Sequence, residues 1–328
     1  MVPLRGLVLT AGLGTRLQPL TRVRAKAAAA VDGEPLARRT IRWLAGHGVR
    51  DLVLNLHHQP ESITAVVGDG ADLGARVRYS WEAPLLGSAG GPRHALPLLL
   101  HGLGTGAART FVLVNGDTIT DVDLAAMAAQ HQRTGALVTM ALIANPRPEK
   151  YGGVRLDRDH AVTAFTPRRT PGRTPAPGAQ PRVEEFHFIG PQMVEPEVFM
   201  ALEDGVPAES VLSRYPALMA ARPGSVRGFV SQAAFQDIGT PADLLQTSLD
   251  LAATDGRPDC PRWGRNARVA ESARVARCVL WDDVTVGPGA ELTECVVADG
   301  VVIPAGARFE RSAIVPGSGG LEVVALDR

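Results

Sequence analysis

The chain has 328 residues, more than the roughly 250–300 at which a single hydrophobic core stops growing, so we expect one large and one smaller domain. Its 34 basic and 34 acidic residues cancel, which excludes the general basic field that nucleic acid or an anionic membrane surface would require. No apolar run reaches the ~18 residues of a membrane-spanning helix, and Arg5 and Gly6 interrupt the position where a signal peptide would need its apolar core.

The first predicted element is an apolar strand over residues 7–9, which runs into a turn containing Gly12 and Gly14. Glycines let backbone N–H groups point inward and approach a ligand closely. Thr15 adds a hydroxyl group, and Arg16 adds a planar cation suited to phosphate oxygens. The pattern indicates a phosphate-binding turn at the carboxyl end of a strand, with an ordinary strand-to-helix turn as the alternative.

Neither common phosphate-binding motif fits this turn. The dinucleotide fingerprint needs a third glycine where the chain has Leu17, and the Walker P-loop pattern is absent. Lys26 follows soon after, and it is one of only two lysines in the chain. Because arginine serves at almost every other basic position, a lysine at position 26 indicates a task for a compact ammonium group.

Hydrophobic periodicity then predicts alternating helices and strands. The predicted helices cover residues 36–47, 61–67, 94–100 and 124–134, and the predicted strands cover 51–56, 76–80, 111–115 and 136–143. Such alternation favours βαβ units and a mainly parallel sheet, whose ligands bind at the carboxyl ends of the strands. Residues 167–181 are rich in proline and arginine and predict a mobile loop or a flap.

After residue 251 the pattern changes to aliphatic positions at roughly six-residue spacing with glycines between them. These positions are Val269, Val275, Val286, Leu292, Ile303 and Phe309. The repeat predicts a short parallel β-helix after a linker at 255–264, with Cys278 and Cys295 about one coil apart in its interior. Together with Cys260 they are the three cysteines, which we interpret as buried structural thiols of a reducing, cytoplasmic compartment.

Residues 12–21, which read G-L-G-T-R-L-Q-P-L-T, resemble the opening signature of the sugar-1-phosphate nucleotidylyltransferases, or nucleotide-sugar pyrophosphorylases. That family continues with a Pro-Lys loop and a Val-x-Gly-x-Pro segment. This chain has Ala25-Lys26 and V-D-G-E-P at 31–35, with Ala25 and Ala30 where prolines are usual. The resemblance implies an α/β fold, a Rossmann-like mixed and mainly parallel sheet flanked by helices. It also implies a catalytic domain over 1–254 and a left-handed β-helix tail over 255–328.

The resemblance also implies functional residues. Arg16, Lys26 and Asp117 take catalytic roles, and Asp117 and Asp237 hold Mg²⁺, an ion that needs few protein ligands. The residues implied for the nucleotide are Ala11, Gly12, Gly14, Thr15, Arg16, Glu82, Gly87 and Ser88. Those implied for the sugar phosphate are Gly152, Arg168, Glu185 and Gly190, with Arg168 in place of the usual lysine. Taken alone, the two aspartates fit a turn or a helix cap, and the glycines of 87–91 fit a surface turn.

Three histidines near these segments need an interpretation of their own. His187 is interpreted as a satisfied structural histidine, with the sugar pocket as its alternative. His57 and His58 are adjacent on an extended segment and point to opposite faces, so we interpret them as polar loop groups and not as ligands of one metal ion.

The implied reaction transfers a nucleoside monophosphate from a nucleoside triphosphate to a sugar-1-phosphate, with GTP and a mannose- or heptose-1-phosphate as the favoured pair. The alternatives are a uridylyltransferase acting on glucose-1-phosphate or N-acetylmuramate-1-phosphate, and a non-catalytic regulatory homologue that binds a nucleotide-sugar. An acyltransferase built on the tail is disfavoured because no histidine follows His187. In this family the tail is a candidate surface for homo-oligomerisation.

Overall fold

The structure is a computed structural model that describes residues 4–103, 109–170 and 184–326. The predicted flap lies outside the described residues from residue 171 onward. Within the described ranges, none of the helices combines the length and the apolar character needed to span a membrane.

The regular elements follow the predicted alternation in the first half of the chain. The helices are α1 (Leu36–Gly46), α2 (Pro60–Val67), α3 (Gly87–Leu100), α4 (Leu124–Thr134), α5 (Glu197–Met200), α6 (Tyr215–Ala221) and α7 (Pro241–Thr254). The strands up to α7 are β1 (Arg5–Leu9), β2 (Ala30–Val31), β3 (Glu34–Pro35), β4 (Asp51–Leu56), β5 (Arg76–Trp81), β6 (Phe111–Asn115), β7 (Thr118–Thr120), β8 (Val138–Ala144), β9 (Gly153–Leu156), β10 (Val162–Thr166), β11 (Phe186–Val194), β12 (Val226–Val230) and β13 (Phe235–Asp237).

The described residues form two compact units, which do not follow the predicted boundary at 254/255. The first comprises residues 1–11, 41–57 and 69–235, and the second comprises residues 12–40, 58–68 and 236–328. The chain therefore leaves the first unit directly after β1, at the glycine turn, and enters the second. The boundary at 254/255 stays a prediction.

The first unit is built on one large mixed sheet. Its strand order is β10-β9-β11-β6-β1-β4-β5, with β8 and β12 continuing from β11. Strands β6, β1, β4 and β5 run parallel, while β11 runs antiparallel to both β6 and β8. Leu7, Val53 and Leu113, from β1, β4 and β6, are completely buried, as expected for a parallel sheet covered by helices on both faces. The predicted α/β fold with a mixed sheet is confirmed.

One helix begins earlier than its sequence pattern predicts. Helix α3 starts at Gly87 and not at residue 94, and so includes three glycines and a proline in its first turns. Close packing explains the glycines: a Cβ added at Gly90 would lie 2.6 Å from the Val206 carbonyl oxygen, and one at Gly91 would overlap Glu82 Oε1. Tertiary contact thus overrides the weak helix propensity of glycine.

The second unit contains a parallel β-helix. Its strands are β14 (Arg268–Val269), β15 (Arg274–Ala276), β16 (Val279–Leu280), β17 (Thr285–Val286), β18 (Glu291–Thr293), β19 (Val296–Val297), β20 (Val302–Ile303), β21 (Arg308–Glu310), β22 (Ser312–Gly317) and β23 (Gly320–Ala325). They stack in three rows, β14-β17-β20, β15-β18-β21 and β16-β19-β22, and β23 closes the last row as an antiparallel strand.

The cysteines of the β-helix lie where the repeat predicts them. Cys278 and Cys295 are both buried and stand one coil of 17 residues apart, and the Cys295 backbone N–H donates to Cys278 Sγ at 3.3 Å. The prediction of a buried thiol is wrong for Cys260, which is exposed. Cys260 precedes the first coil, so no inner face of the β-helix receives it.

The β-helix packs on the segment that follows the glycine turn, and both belong to the second unit. The Trp281 indole is fully buried and donates from Nε1 to the Ala30 carbonyl oxygen at 3.0 Å. The Asp32 carboxylate is 1 % exposed and accepts from Arg257 Nη2 at 2.8 Å and from the Arg262 backbone N–H at 2.7 Å. The tail therefore stabilises the V-D-G-E-P segment that the family signature includes.

Candidate functional site

The glycine turn folds back onto the predicted catalytic lysine. Gly14 has the left-handed backbone conformation, with φ 61°, and a Cβ there would lie 2.8 Å from Thr21 Cγ2 and 3.1 Å from Lys26 Cβ. The Thr21 hydroxyl donates to the Gly14 carbonyl oxygen at 3.0 Å. At Gly12, by contrast, a Cβ would meet no described atom within 4 Å. The second unit thus places Lys26 beside a turn with open space at its first glycine.

Arg16 and Asp237 are far apart in sequence and meet at Gly239. A Cβ added at Gly239 would lie 3.1 Å from Arg16 Nη1 and 3.3 Å from Asp237 Oδ2. Arg16 is exposed, and Asp237 is half-buried. Any side chain at position 239 would push against both charged groups, so glycine there keeps the cation and the carboxylate close to each other.

A helix cap fixes the segment that holds Asp237. Thr240 accepts from the Asp243 backbone N–H at 3.1 Å, and Asp243 Oδ2 accepts from the Thr240 backbone N–H at 3.0 Å. This reciprocal capping box has its N-cap, Thr240, directly after Gly239, and α7 begins at Pro241. Ile238, which lies between Asp237 and Gly239, is fully buried and anchors the same segment.

Asp117 lies in the first unit, just beyond the carboxyl end of β6. The Gly116 backbone N–H donates to the Leu9 carbonyl oxygen at 2.9 Å, and a Cβ at Gly116 would lie 2.7 Å from that same oxygen. The turn that holds Asp117 is therefore pressed against the end of β1, from which the glycine turn departs. This is the sheet edge at which ligands of such folds bind.

The donor set fits the Mg²⁺ that the resemblance implies. Asp117 and Asp237 both offer carboxylate oxygens, the ligand type that this hard ion prefers, and neither is deeply buried. Asp117 belongs to the first unit and Asp237 to the second. Among the described residues, no group of three or more histidine, cysteine or acidic side chains that could hold a metal ion is found. Mg²⁺ usually takes few protein ligands and retains waters and phosphate oxygens, so each carboxylate is a suitable single ligand for it.

Glu82 is predicted to face the nucleobase, but its carboxylate contacts other residues of the first unit. It is 1 % exposed, and it accepts from Asn55 Nδ2 at 2.6 Å and from the Leu86 backbone N–H at 2.9 Å. The Asn55 side-chain oxygen in turn accepts from the Thr10 backbone N–H at 2.6 Å. Asn55 and Glu82 thus connect the end of β1 to the start of α3, and contact of Glu82 with a base stays a prediction.

Gly87 and Ser88 open helix α3 against a second loop. The Ser88 hydroxyl donates to Glu209 Oε2 at 2.5 Å and accepts from the Ser210 backbone N–H at 2.9 Å. Gly87 has φ 75°, and a Cβ there would lie 2.7 Å from Glu209 Oε1. The predicted base-binding glycine is therefore covered on one side by a carboxylate that the sequence analysis did not single out.

On the predicted sugar side, Gly190 sits at an irregularity of β11. The pairing of β11 with β8 shifts between Phe188 and Gln192, and Gly190 adopts φ 111° within that shift. A Cβ at this position would lie 2.9 Å from Thr118 Oγ1. Bulges of this kind redirect backbone groups next to functional sites, and this one requires glycine.

Glu185 lies between two arginines. Its Oε1 accepts from Arg155 Nη2 at 2.9 Å, and its Oε2 accepts from Arg169 Nη2 at 2.8 Å. Burial acts to raise the pKa of the Glu185 carboxyl, but the hydrogen bonds from the two arginines outweigh it and lower that pKa below its usual value. Arg168, the predicted phosphate ligand, is exposed, and its neighbour Arg169 is the residue that approaches Glu185.

His187 is packed in an aromatic cluster beside Gly152. Its ring stacks on Tyr151 at 4.2 Å between centroids and meets Phe235 edge-on at 4.8 Å. Burial lowers the pKa of His187 to about 4, so the ring is neutral at neutral pH. Its Nε2 is buried and finds no hydrogen-bond partner among the described residues, so the expectation of a satisfied histidine is wrong for this nitrogen.

The other predicted histidines make local polar contacts. His57 Nδ1 lies 2.9 Å from the Glu82 carbonyl oxygen, and His58 Nε2 lies 3.1 Å from the Thr21 carbonyl oxygen. Both are loop polar groups, as predicted.

Two residues of this site were not predicted from the sequence. Asn55 was missed, although a polar residue inside the apolar run 51–56 is a usable signal. No comparable sequence pattern distinguishes Glu209.

The comparisons with known proteins agree with this arrangement. The profile of the family described as nucleotidyl transferase matches residues 5–254, and that of the GlmU-like C-terminal hexapeptide matches residues 263–310. The mannose-1-phosphate guanylyltransferase of Mycobacterium tuberculosis is 28 % identical over 286 residues, which are 87 % of this chain and 75 % of that protein. The N-acetylmuramate alpha-1-phosphate uridylyltransferase of Neisseria meningitidis is 30 % identical over 250 residues, which are 74 % of this chain and 96 % of that protein.

Among solved structures, HddC from Yersinia pseudotuberculosis complexed with GMP-PN superposes with a TM-score of 0.60 at 20 % identity, covering 76 % of this chain and 99 % of that one. At this identity the likeness shows the fold. The hexapeptide match agrees with the three stacked rows of short strands and with the predicted left-handed β-helix. The family predicted from the glycine-turn signature is confirmed by the profile match over residues 5–254: this chain belongs to the nucleotidyl transferase family of sugar-1-phosphate nucleotidylyltransferases.

Proposed function

We propose that this protein transfers a nucleoside monophosphate from GTP to a sugar-1-phosphate of the mannose or heptose type, releasing pyrophosphate. The observation that carries the proposal is the packing of Gly14 against Lys26, next to a Gly12 that is open to a ligand. A turn of this kind offers backbone N–H groups to phosphate oxygens, and the lysine adds a compact positive charge beside them.

In the proposed reaction a phosphate oxygen of the sugar-1-phosphate attacks the α-phosphorus of the triphosphate in line. A new phosphorus–oxygen bond forms, the bond from the α-phosphorus to the bridging oxygen breaks, and the electron pair leaves with pyrophosphate. The attacking oxygen is already ionised, so no serine, cysteine or general base is needed. Catalysis then consists of positioning and charge neutralisation.

The roles proposed for the cationic residues follow from their charges. Lys26 contacts the α-phosphate together with the incoming phosphate and holds the two negative groups close to each other. Arg16, exposed beside the glycine turn, neutralises charge on the leaving pyrophosphate. Mg²⁺, when bound, supplies further positive charge at the phosphate oxygens, and Asp117 and Asp237 are the residues that would hold it.

On the sugar side, we propose that the backbone at Gly152 and Gly190 lies against the sugar and that Glu185 accepts from its hydroxyl groups. Arg168 takes the place of the usual lysine on the sugar phosphate. The Arg155 and Arg169 guanidinium groups on Glu185 add positive charge to this side and favour an anionic acceptor.

A uridylyltransferase is the second candidate, and the Neisseria meningitidis relative favours it because this chain spans nearly that whole protein. A non-catalytic nucleotide-sugar sensor is the third. It would not need the charged groups of the phosphate site, whereas Arg16, Lys26, Asp117 and Asp237 are all present.

The test is pyrophosphate release from a panel of GTP, UTP, dTTP, CTP and ATP, each with mannose-, glucose-, heptose- and N-acetylmuramate-1-phosphate, in the presence of Mg²⁺. The expected result is release with GTP that stops when EDTA removes the metal. Release with UTP in preference to GTP would establish the second candidate. Absence of release with every pair, together with a thermal shift on adding nucleotide-sugar, would establish the third.

Self-association through the tail is a separate proposal. Strand β23 pairs with β22, and within the described residues it has no strand on its other side. Val323 and Val324 on β23 are 41 % and 39 % exposed. Size-exclusion chromatography with light scattering, on the native chain and on Val323→Lys, tests it: a multimer that the lysine disrupts is the expected result.

A further inference from the structure

The loop at residues 206–210 is fixed onto the first turn of α3, and both belong to the first unit. The Ala208 backbone N–H donates to the Leu86 carbonyl oxygen at 2.9 Å, and the Ala208 carbonyl oxygen accepts from the Ala89 backbone N–H at 2.9 Å. Two backbone hydrogen bonds in opposite directions set the register between the loop and the helix. They place Glu209 directly over Gly87 and Ser88.

The Glu209 carboxylate touches both of these residues but remains exposed. Its Oε2 accepts from the Ser88 hydroxyl at 2.5 Å, and its Oε1 lies 2.7 Å from the position of a Cβ on Gly87. A carboxylate has about four lone-pair directions, so one bond from serine leaves acceptor capacity on both oxygens. The Ser88 hydroxyl therefore orients the Glu209 carboxylate and leaves it able to accept further hydrogen bonds.

The other polar side chains at this turn have internal partners. Glu82 is buried and accepts from Asn55 and Leu86. Ser88 gives its proton to Glu209 and accepts from the Ser210 backbone N–H. Of the side chains described as touching the segment from Gly87 to Ser88, Glu209 is therefore the one that presents carboxylate oxygens to solvent at the predicted base-binding glycine.

We propose that Glu209 is the residue that selects the nucleobase, and that it selects guanine. Guanine presents two neighbouring donors on one edge, N1–H and the 2-amino group, which match the two oxygens of a carboxylate. Uracil and thymine present one N–H between two carbonyl oxygens. The negative charge of a carboxylate repels those two oxygens. Adenine presents its amino group beside an unprotonated ring nitrogen. This inference rests on the proposed function and identifies its nucleotide.

The test compares the wild-type protein with Glu209→Gln in steady-state pyrophosphate release, using GTP, ITP and UTP with one sugar-1-phosphate. ITP lacks only the 2-amino group. We expect the wild-type kcat/KM to be about 30–100-fold higher for GTP than for ITP, and the variant to reduce that ratio to less than about 5-fold, because a charge-assisted hydrogen bond is lost. The variant's kcat/KM for UTP should rise, because a neutral amide no longer repels the carbonyl oxygens of uracil and can donate a hydrogen bond to one of them.

Glu203→Gln, an exposed glutamate on the preceding loop, is the matched control and should leave all three values unchanged. Circular dichroism and a thermal melt show whether Glu209→Gln remains folded, and Glu209→Asp serves as the second variant if it does not.

The outcomes separate this inference from the proposed function. An active wild-type protein whose GTP-to-ITP ratio survives in Glu209→Gln would overturn the role of Glu209 alone. A wild-type protein that prefers UTP would overturn guanine selection while leaving nucleotidyl transfer in place. Absence of pyrophosphate release with every pair would contradict the proposed function itself.

Discussion

Asn55 Nδ2 donates a hydrogen bond of 2.6 Å to Glu82 Oε1, and both side chains are almost completely buried. Asn55 is the last residue but one of β4. Its side-chain oxygen accepts from the Thr10 backbone N–H, and the Glu82 carboxylate accepts from the Leu86 backbone N–H. One buried pair therefore sets the spacing between two segments that the family signature assigns to the nucleotide.

Asn55→Ala leaves the Glu82 carboxylate buried with one partner fewer. We expect a loss of about 2–4 kcal/mol in the free energy of unfolding, together with a raised KM for the nucleotide. Chemical denaturation measures the first effect. The double variant Asn55→Ala/Glu82→Ala should cost much less than the sum of the two single changes, and additive costs would show that the pair is not coupled.

Lys26→Ala should lower pyrophosphate release by at least about a hundredfold, because a positive charge at the reacting phosphates is lost. Lys26→Arg should recover little of it, since a planar guanidinium does not replace a compact ammonium group. The control is Lys150→Ala, which removes the only other lysine of the chain. Near-normal release by Lys26→Ala, or equal losses at the two positions, would refute the assignment.

Asp237→Asn keeps the size of the side chain and removes its charge. We expect a higher Mg²⁺ concentration for half-maximal release, by about tenfold or more, and a lower maximal rate. Asp117→Asn should behave in the same way. Asp283→Asn, an exposed aspartate of the tail, should leave the Mg²⁺ dependence unchanged. An unaltered Mg²⁺ titration in both site variants would remove these residues from the metal site.

The buried His187 should make the free energy of unfolding depend on pH. Because burial lowers its pKa from 6.5 to about 4, the unfolded chain binds a proton in this range and the folded chain does not. The contribution to the free energy of unfolding is therefore fully present above pH 6.5 and declines as the pH falls from 6.5 to about 4. Thermal melts of His187→Phe should show a smaller decline over this window, whereas His101→Gln should match the wild type.

Substitutions of Trp281 test whether the tail stabilises the V-D-G-E-P segment. Trp281→Ala should cost about 3–5 kcal/mol, because a fully buried indole and its hydrogen bond to Ala30 are lost. Trp281→Phe, which retains most of the volume, should cost less. Trp263→Ala removes a partly exposed indole and should cost clearly less than Trp281→Ala. Similar costs at the two positions would argue against a specific supporting role.

Much of the architecture could be predicted from local pattern. The apolar runs at 51–56 and 111–115 became strands with those same bounds, and the helix at 124–134 was also correct. The stacking of Cys278 on Cys295 followed from the repeat. These features depend on periodicity and on turn chemistry within a few residues, and both can be read along one stretch of chain.

The family, the strand that leads into the glycine turn and the charged residues near that turn can all be recognised along the chain. Which of those charged and polar groups contact each other follows from how distant segments pack. Glu209 meets Ser88 across 121 residues, and Arg16 and Asp237 both approach Gly239. The physical reason is that a side chain's hydrogen-bond partners depend on how distant segments pack, and no local pattern encodes such a contact.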